Sequence, residues 1–188
     1  TNPQNLGNVT TPSAFTHNAW VSDNGDFVFT TDEQSDAYIG SYDISDLNNI
    51  QEVDRIQSNP GSNSIPHNTH VDGNFIITSY YRDGTVVHDI TNPNNLIEVA
   101  HYDSSPLSGD GFQGCWGTYP FLPSGNIISS DIDYGSITKG RLLVYSRDFL
   151  QACYLEGNVS DISNSLPITN ATIEIINPNL TIQVTKMK

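Results

Sequence analysis

His17-Asn18-Ala19-Trp20-Val21-Ser22-Asp23 is a stretch that recurs as His67-Asn68-Thr69-His70-Val71-Asp72 and, in altered form, as Trp116-Gly117-Thr118-Tyr119-Pro120. The first two copies begin 50 residues apart, and short apolar runs follow each copy. A period of about 40–50 residues with several short strands per repeat is typical of β-propeller blades, which bury their faces by stacking on neighbours. The repeat therefore predicts an all-β fold, a partial β-propeller of about three blades, each a four-stranded antiparallel sheet.

Turn residues divide each repeat into strands. Asp23-Asn24-Gly25-Asp26 predicts a hairpin in the first repeat, and Asp72-Gly73 and Arg82-Asp83-Gly84 predict two turns in the second. The runs between the turns, such as Phe27-Val28-Phe29, are β-branched or aromatic and lack helical spacing. No amphipathic helix is predicted.

The repeat pattern ends close to residue 150, which predicts two domains. Residues 1–150 are expected to be the C-terminal blades of a propeller, because Thr1 to Leu6 match Thr91 to Leu96 and the chain therefore opens inside a blade. Residues 151–188 are expected to be the truncated start of a β-sandwich module, with too few strands to bury a sandwich core.

The composition limits the partners that the protein can bind. The 188 residues include 7 Lys and Arg against 21 Asp and Glu, a formal net charge of −14. Such a surface repels nucleic acid and anionic membrane, so neither is expected as a partner. No apolar run is long enough to insert into a bilayer. The two cysteines, Cys115 and Cys153, leave both a disulfide and two free thiols open.

The repeats resemble those of the secreted bacterial propeller proteins of the LVIVD-repeat, or choice-of-anchor B, family. The resemblance rests on His17-Asn18-Ala19-Trp20, Phe29-Thr30-Thr31-Asp32-Glu33, Ser79-Tyr80-Tyr81-Arg82-Asp83-Gly84 and Trp116-Gly117-Thr118-Tyr119-Pro120, and it covers residues 1–150. It implies a secreted or cell-surface propeller, whose signal peptide would lie outside this chain, and it transfers no catalytic residue.

Two further expectations follow from the resemblances. The segment from Leu155 resembles the opening of a carboxypeptidase-regulatory-like, or transthyretin-like, β-sandwich. A closed propeller ring needs more blades than this chain supplies, so further blades or another chain are expected to complete it.

The repeated histidines and aromatic residues are the candidate ligand-binding residues. Equivalent positions of successive blades lie around one channel, so His17 and His67 are expected to be neighbours, with Trp116 in the third repeat. They can bind a ligand or metal, or they can lock the start of each blade by hydrogen bonds to the backbone. The aromatic side chains can stack on a glycan or peptide, or fill the space between blades. The candidate ligand-binding residues are His17, Trp20, His67, His70, Tyr80, Arg82, Trp116 and Tyr119.

Carboxylates at equivalent strand ends suggest a metal site. Asp32, Asp131 and Asp133 are the candidate ligands, and Ca²⁺ is the candidate ion because it prefers carboxylate oxygens. The same residues fit solvated turns. Asp32-Glu33 also aligns with Tyr80-Tyr81-Arg82, so a carboxylate pair facing Arg82 is a further possibility. No cofactor is certain from the sequence.

The sequence favours a non-enzymatic, secreted or cell-surface binding scaffold with a glycan or protein ligand, because no nucleophile or phosphate-binding motif is present. One alternative is a metal-assisted hydrolase or lyase that uses His17, His67 and a carboxylate such as Asp32. Another is an architectural subunit of a larger extracellular assembly. Fold alone does not choose among them.

Overall fold

The computed structural model describes residues 2–132, 140–154 and 159–168. The chain divides into two compact units, Thr1–Ala152 and Cys153–Lys188. The predicted calcium ligand Asp133 and most of the predicted β-sandwich segment lie outside the described residues. In the described part of the second unit, Ser160 and Pro167 form an isolated antiparallel bridge.

The first unit is built from antiparallel sheets whose strands follow one another in chain order. The first sheet contains β1 (Thr16–Val21), β2 (Phe27–Asp32), β3 (Ile39–Asp43) and β4 (Gln51–Ile56). The second contains β5 (Asn68–Asp72), β6 (Phe75–Tyr80), β7 (Gly84–Asp89) and β8 (Ile97–Tyr102). The third contains β9 (Gly114–Tyr119), β10 (Ile127–Ile132) and β11 (Arg141–Tyr145).

Turns at the predicted glycines connect these strands. Gly25 lies between β1 and β2 with φ +81°, and Gly73 lies between β5 and β6 with φ +60°. Gly84 closes the turn between β6 and β7 with φ +83°. Glycine adopts such left-handed conformations without the steric cost of a Cβ atom, so each sheet folds back on itself where the sequence predicts.

The second sheet lies between the other two and supplies side chains to both interfaces. Phe29 and Ile39 of the first sheet pack with Ile76, Tyr80 and Val86 of the second in one buried cluster. Ile77 and Val87, which point to the opposite face, pack with Ile127 of the third sheet in another. Alternating residues of β6 therefore bury both faces of the central sheet.

The first strands of the three sheets are neighbours in space, with β5 beside both β1 and β9. Each of these strands is an edge strand of its own sheet. This arrangement is consistent with consecutive blades of a propeller, in which the innermost strand of each blade meets those of the adjacent blades.

The structure confirms the predicted all-β class with antiparallel sheets, and no helix occurs in residues 2–132, 140–154 and 159–168. The third sheet has three strands among the described residues, where four were predicted. The architecture is consistent with part of a β-propeller. Both cysteines are free thiols, with Cys115 buried and Cys153 exposed. The described residues include no helix long and apolar enough to cross a membrane.

Candidate functional site

Equivalent residues of the three repeats meet along the inner strands. The rings of His17 and His67 stack with centroids 4.6 Å apart and planes inclined by 27°. The centroid of the Trp116 ring lies 5.4 Å from that of His67. We call these three residues the histidine row. The sequence predicted that His17 and His67 would be neighbours, and the structure brings them together.

Irregularities in strand pairing occur at two members of the histidine row, His17 and Trp116. His17 is the extra residue where the pairing of β1 with β2 shifts between Thr16 and Asn18. Trp116 occupies the equivalent position of β9, opposite a register shift in β10. A β-bulge redirects the side chain of its extra residue, and bulges are frequent beside functional sites.

His67 is fixed by backbone contacts immediately before β5. Its N–H donates to the carbonyl of Ser79 at 2.9 Å, and its own carbonyl accepts a hydrogen bond from the Thr31 hydroxyl at 2.5 Å. Because Thr31 belongs to the first sheet, this bond also ties two sheets together. These contacts use the backbone of residue 67 and not its imidazole, so the predicted role of the histidine side chains in locking the start of a blade stays a prediction.

A second row of rings lies three residues further along the same strands. Trp20 and His70 have centroids 4.7 Å apart, and Trp20 stacks on Phe121 at 5.7 Å. Tyr119 meets Phe121 edge-on at 5.4 Å. We call Trp20, His70, Tyr119 and Phe121 the aromatic row. Its tryptophan, tyrosine and phenylalanine are exposed to solvent. Phe121 was not among the predicted binding residues, although it lies two residues beyond Tyr119.

Glu33 is the carboxylate that meets both imidazoles of the histidine row. Its Oε2 lies 3.0 Å from Nδ1 of His17, and its Oε1 lies 3.5 Å from Nε2 of His67. The Tyr81 hydroxyl donates to Oε1 at 2.5 Å. Ligand atoms of His17, Glu33 and His67 all lie within 4.8 Å of one another. This is the arrangement of a candidate metal centre.

Contacts to His67 define which of its ring nitrogens is free. Nδ1 contacts the carbonyl oxygen of Trp116, which can only accept, so Nδ1 carries a proton. The Asn68 amide nitrogen also lies 2.9 Å from Nδ1, but the carbonyl contact decides the tautomer. Nε2 lies 3.5 Å from both Glu33 Oε1 and the Asn68 amide nitrogen. Burial lowers the pKa of His67, and the Trp116 carbonyl and Glu33 oppose this effect.

The neighbouring phenol remains protonated in this environment. Burial raises the pKa of Tyr81, and the hydrogen bond that it donates to Glu33 raises it further. The Phe112 ring packs edge-on against Tyr81 at 5.3 Å between centroids. Tyr81 is therefore held as a hydrogen-bond donor to the carboxylate.

The carboxylates predicted as calcium ligands have other partners. Asp32 is buried, and its Oδ2 accepts a hydrogen bond from the Ser13 N–H at 2.6 Å. Asp131 pairs with Arg141 at 2.6 Å and accepts from the Ser104 hydroxyl at 2.8 Å. Within the part of the chain that the structure describes, neither belongs to a group of three or more metal-ligating side chains. The calcium site stays a prediction.

Two other candidate residues lie away from the imidazoles. Tyr80 is buried in the core between the first and second sheets, and its hydroxyl donates to the Ala37 carbonyl at 3.4 Å. Arg82 donates to the Ser108 carbonyl at 2.9 Å and to the Gln113 side chain at 2.5 Å. Arg82 therefore holds the loop of residues 103–113, whereas the sequence suggested that it faces the Asp32-Glu33 pair.

Comparison with known proteins does not identify this site. No protein family, no curated protein and no solved structure matches the chain. The assignment of function therefore rests on the geometry described above.

Proposed function

We propose that the protein is a secreted or cell-surface β-propeller binding module of the LVIVD-repeat type, without catalytic activity of its own, that binds a neutral glycan at the aromatic row. The observation that carries this proposal is the contact of Trp20, Tyr119 and Phe121, which form continuous ring contacts while each remains more than a third exposed. Exposed apolar patches on soluble domains mark interaction sites.

The chemistry of the aromatic row suits a sugar. The apolar C–H face of a pyranose ring can lie on an exposed aromatic face, while its hydroxyls bond to polar ring edges such as the Tyr119 hydroxyl and the Trp20 indole N–H. Three sheets contribute to the row, so successive sugar units can contact successive rings. The net charge of −14 disfavours polyanionic glycans, and we therefore propose a neutral one.

The secreted or surface location rests on the family resemblance of the repeats. The same resemblance motivates the expectation that further blades, from a longer protein or from another chain, complete the ring. A protein ligand is the competing occupant of the aromatic row, and the experiment below separates the two.

A set of soluble neutral oligosaccharides, titrated into the protein with isothermal calorimetry as readout, tests the proposal. We expect at least one to bind, and Trp20→Ala to weaken its binding tenfold or more, because loss of a stacked aromatic ring removes about 1–3 kcal/mol of contact energy. Tyr102→Ala is the matched control, since Tyr102 is an exposed aromatic residue of β8 outside the row. Absence of binding to every neutral sugar, or equal losses in both variants, would overturn the proposal.

A further inference from the structure

We propose that His17, Glu33 and His67 bind one divalent first-row transition metal ion, of which Zn²⁺ is the representative. The proposal concerns the histidine row and does not depend on glycan binding at the aromatic row. It replaces Asp32 with Glu33 as the carboxylate partner of the two histidines.

The spacing of the donor atoms suits such an ion. Zinc binds nitrogen and carboxylate oxygen at about 2.0–2.2 Å, so tetrahedral ligands lie roughly 3.3–3.5 Å from one another. Glu33 Oε2 lies 3.0 Å from His17 Nδ1 and Glu33 Oε1 lies 3.5 Å from His67 Nε2, and ligand atoms of the three residues all lie within 4.8 Å of one another. Closing the site requires side-chain rotation, and the His17 side chain, which is 34% exposed, has the most room for it among the three residues.

The orientation of the His67 ring also favours a cation at this site. Its Nδ1 contacts the Trp116 carbonyl, so the neutral ring presents the lone pair of Nε2 to the Glu33 carboxylate, with the Asn68 amide nitrogen 3.5 Å from the same Nε2. Repulsion between that lone pair and the carboxylate oxygen is relieved when a cation, either a metal ion or a proton, lies between them. The His67 side chain is only 4% exposed, so bulk water screens this contact little.

The surrounding groups form the outer shell that metal sites require. Metal-binding histidines donate their second ring nitrogen to a carbonyl or carboxylate, and ligating carboxylates accept further hydrogen bonds. Trp116 supplies the carbonyl to His67, and the Tyr81 hydroxyl donates to Glu33 at 2.5 Å. Both partners come from sheets other than the one that carries Glu33, so the site depends on the stacking of all three sheets.

The donor set selects the class of metal. Two imidazole nitrogens and one carboxylate suit Zn²⁺ and its first-row neighbours, whereas Ca²⁺ prefers six to eight oxygen ligands. Three protein ligands with one partly exposed histidine leave a coordination position for water or a ligand atom. Such a position is what the alternative function, a metal-assisted hydrolase or lyase, would require.

Calorimetric titration with Zn²⁺ alone tests the proposal. The protein is first treated with a chelator and shown by circular dichroism to be folded. We expect one Zn²⁺ per chain, and at least a 100-fold weaker dissociation constant for His17→Ala, which removes a partly exposed ligand. Tyr81→Phe is expected to keep the stoichiometry and weaken binding 10- to 100-fold, the usual effect of losing an outer-shell hydrogen bond. Ca²⁺ is expected not to compete. Co²⁺ loaded in place of Zn²⁺ is expected to give the visible absorption of a tetrahedral site.

His101→Ala is the matched control. His101 lies 3.4 Å from Glu98 and is as exposed as His17, but within the described residues this pair belongs to no group of three ligands. The affinity of the His101→Ala variant for Zn²⁺ should equal that of the unaltered protein. Absence of stoichiometric Zn²⁺ in folded protein overturns the proposal, because a proton then occupies the gap between His67 and Glu33. Equal affinity of His17→Ala, shown to be folded by circular dichroism, also overturns it.

Discussion

His88 is a fully buried residue of β7, and both of its ring nitrogens lack a hydrogen-bond partner among the described residues. Burial lowers its pKa from the ordinary value to about 3, with a further contribution from the charge of His101. Glu98 of β8 is its paired neighbour across the sheet. In the folded protein His88 is therefore neutral at every pH at which the protein is handled.

The stability of the fold should consequently fall as the medium becomes acidic. The unfolded chain takes up a proton at His88 near pH 6.5, whereas the folded chain takes it up only near pH 3, so the unfolded state binds more protons between these values. The contribution approaches about 1.4 kcal/mol per pH unit. Urea unfolding at pH 7.5 and pH 5 measures it, and His88→Leu should flatten the dependence.

His101→Ala provides a control of opposite sign for that measurement. The hydrogen bond to Glu98 raises the pKa of His101, so its contribution to stability is present below pH 6.5 and is lost as the pH rises through the folded-state pKa. Removal of His101 should therefore steepen the loss of stability in acid. An unchanged dependence in His88→Leu would show that other groups cause it.

At the same scale, the sequence predicted one part of the candidate metal centre and missed another. Equivalent repeat positions were enough to predict that His17 and His67 meet, because stacking of blades brings such positions together. Glu33 is the first residue after β2. Only the path of the chain after this strand decides whether the side chain of Asp32 or that of Glu33 faces the two histidines. The pattern of residue types in the sequence does not predict the backbone conformation after the strand.

Among the elements, the turn between β6 and β7 shows how tightly the strands pack. Gly84 has φ +83°, and a Cβ atom at this position would lie 2.1 Å from the Tyr102 carbonyl oxygen. Gly84→Ala therefore adds a backbone clash to the strain of a left-handed conformation. We expect a loss of at least about 3 kcal/mol in the free energy of unfolding.

Gly25→Ala separates the two causes in that experiment. Gly25 has nearly the same φ, +81°, but a Cβ atom there would meet nothing within 4 Å. This variant should lose only about 1–2 kcal/mol, the cost of the left-handed conformation for alanine. Denaturant midpoints of the two variants compare them directly, and equal losses would exclude the clash with β8.

The elements were predictable where turn residues mark them and less so within strands. Glycine in the segments 23–26 and 82–84 predicted both turns, because few other residues adopt a positive φ. The bulges at His17 and Trp116 were not predicted. An extra residue only shifts the alternation of the strand, and short strands show too few alternations to reveal the shift.

For the whole molecule, the repeats predicted stacked sheets, and the structure contains three of them in chain order. The sequence could not define how many sheets stack, because the period describes one repeat and its neighbour rather than the number of repeats. The stability of the described part of the first unit therefore depends on two interfaces, one on each face of the central sheet.

Neighbouring residues of β6 test whether these interfaces unfold together. Ile76 packs towards the first sheet and Ile77 towards the third, and both are fully buried. Ile76→Ala and Ile77→Ala should each lower the free energy of unfolding by about 2–5 kcal/mol, through lost apolar burial and the cavity that remains.

The two tryptophans report on the outer sheets separately, since Trp20 lies in the first and Trp116 in the third. Trp116→Phe leaves a reporter of the first sheet, and Trp20→Phe leaves a reporter of the third. Because the central sheet joins both interfaces, we expect Ile76→Ala to lower the urea midpoint of both reporters equally, although Ile76 does not face the third sheet. A shift confined to the Trp20 signal would instead mean that each pair of sheets unfolds as its own cooperative unit, as in repeat arrays whose stability is a sum of neighbour interfaces.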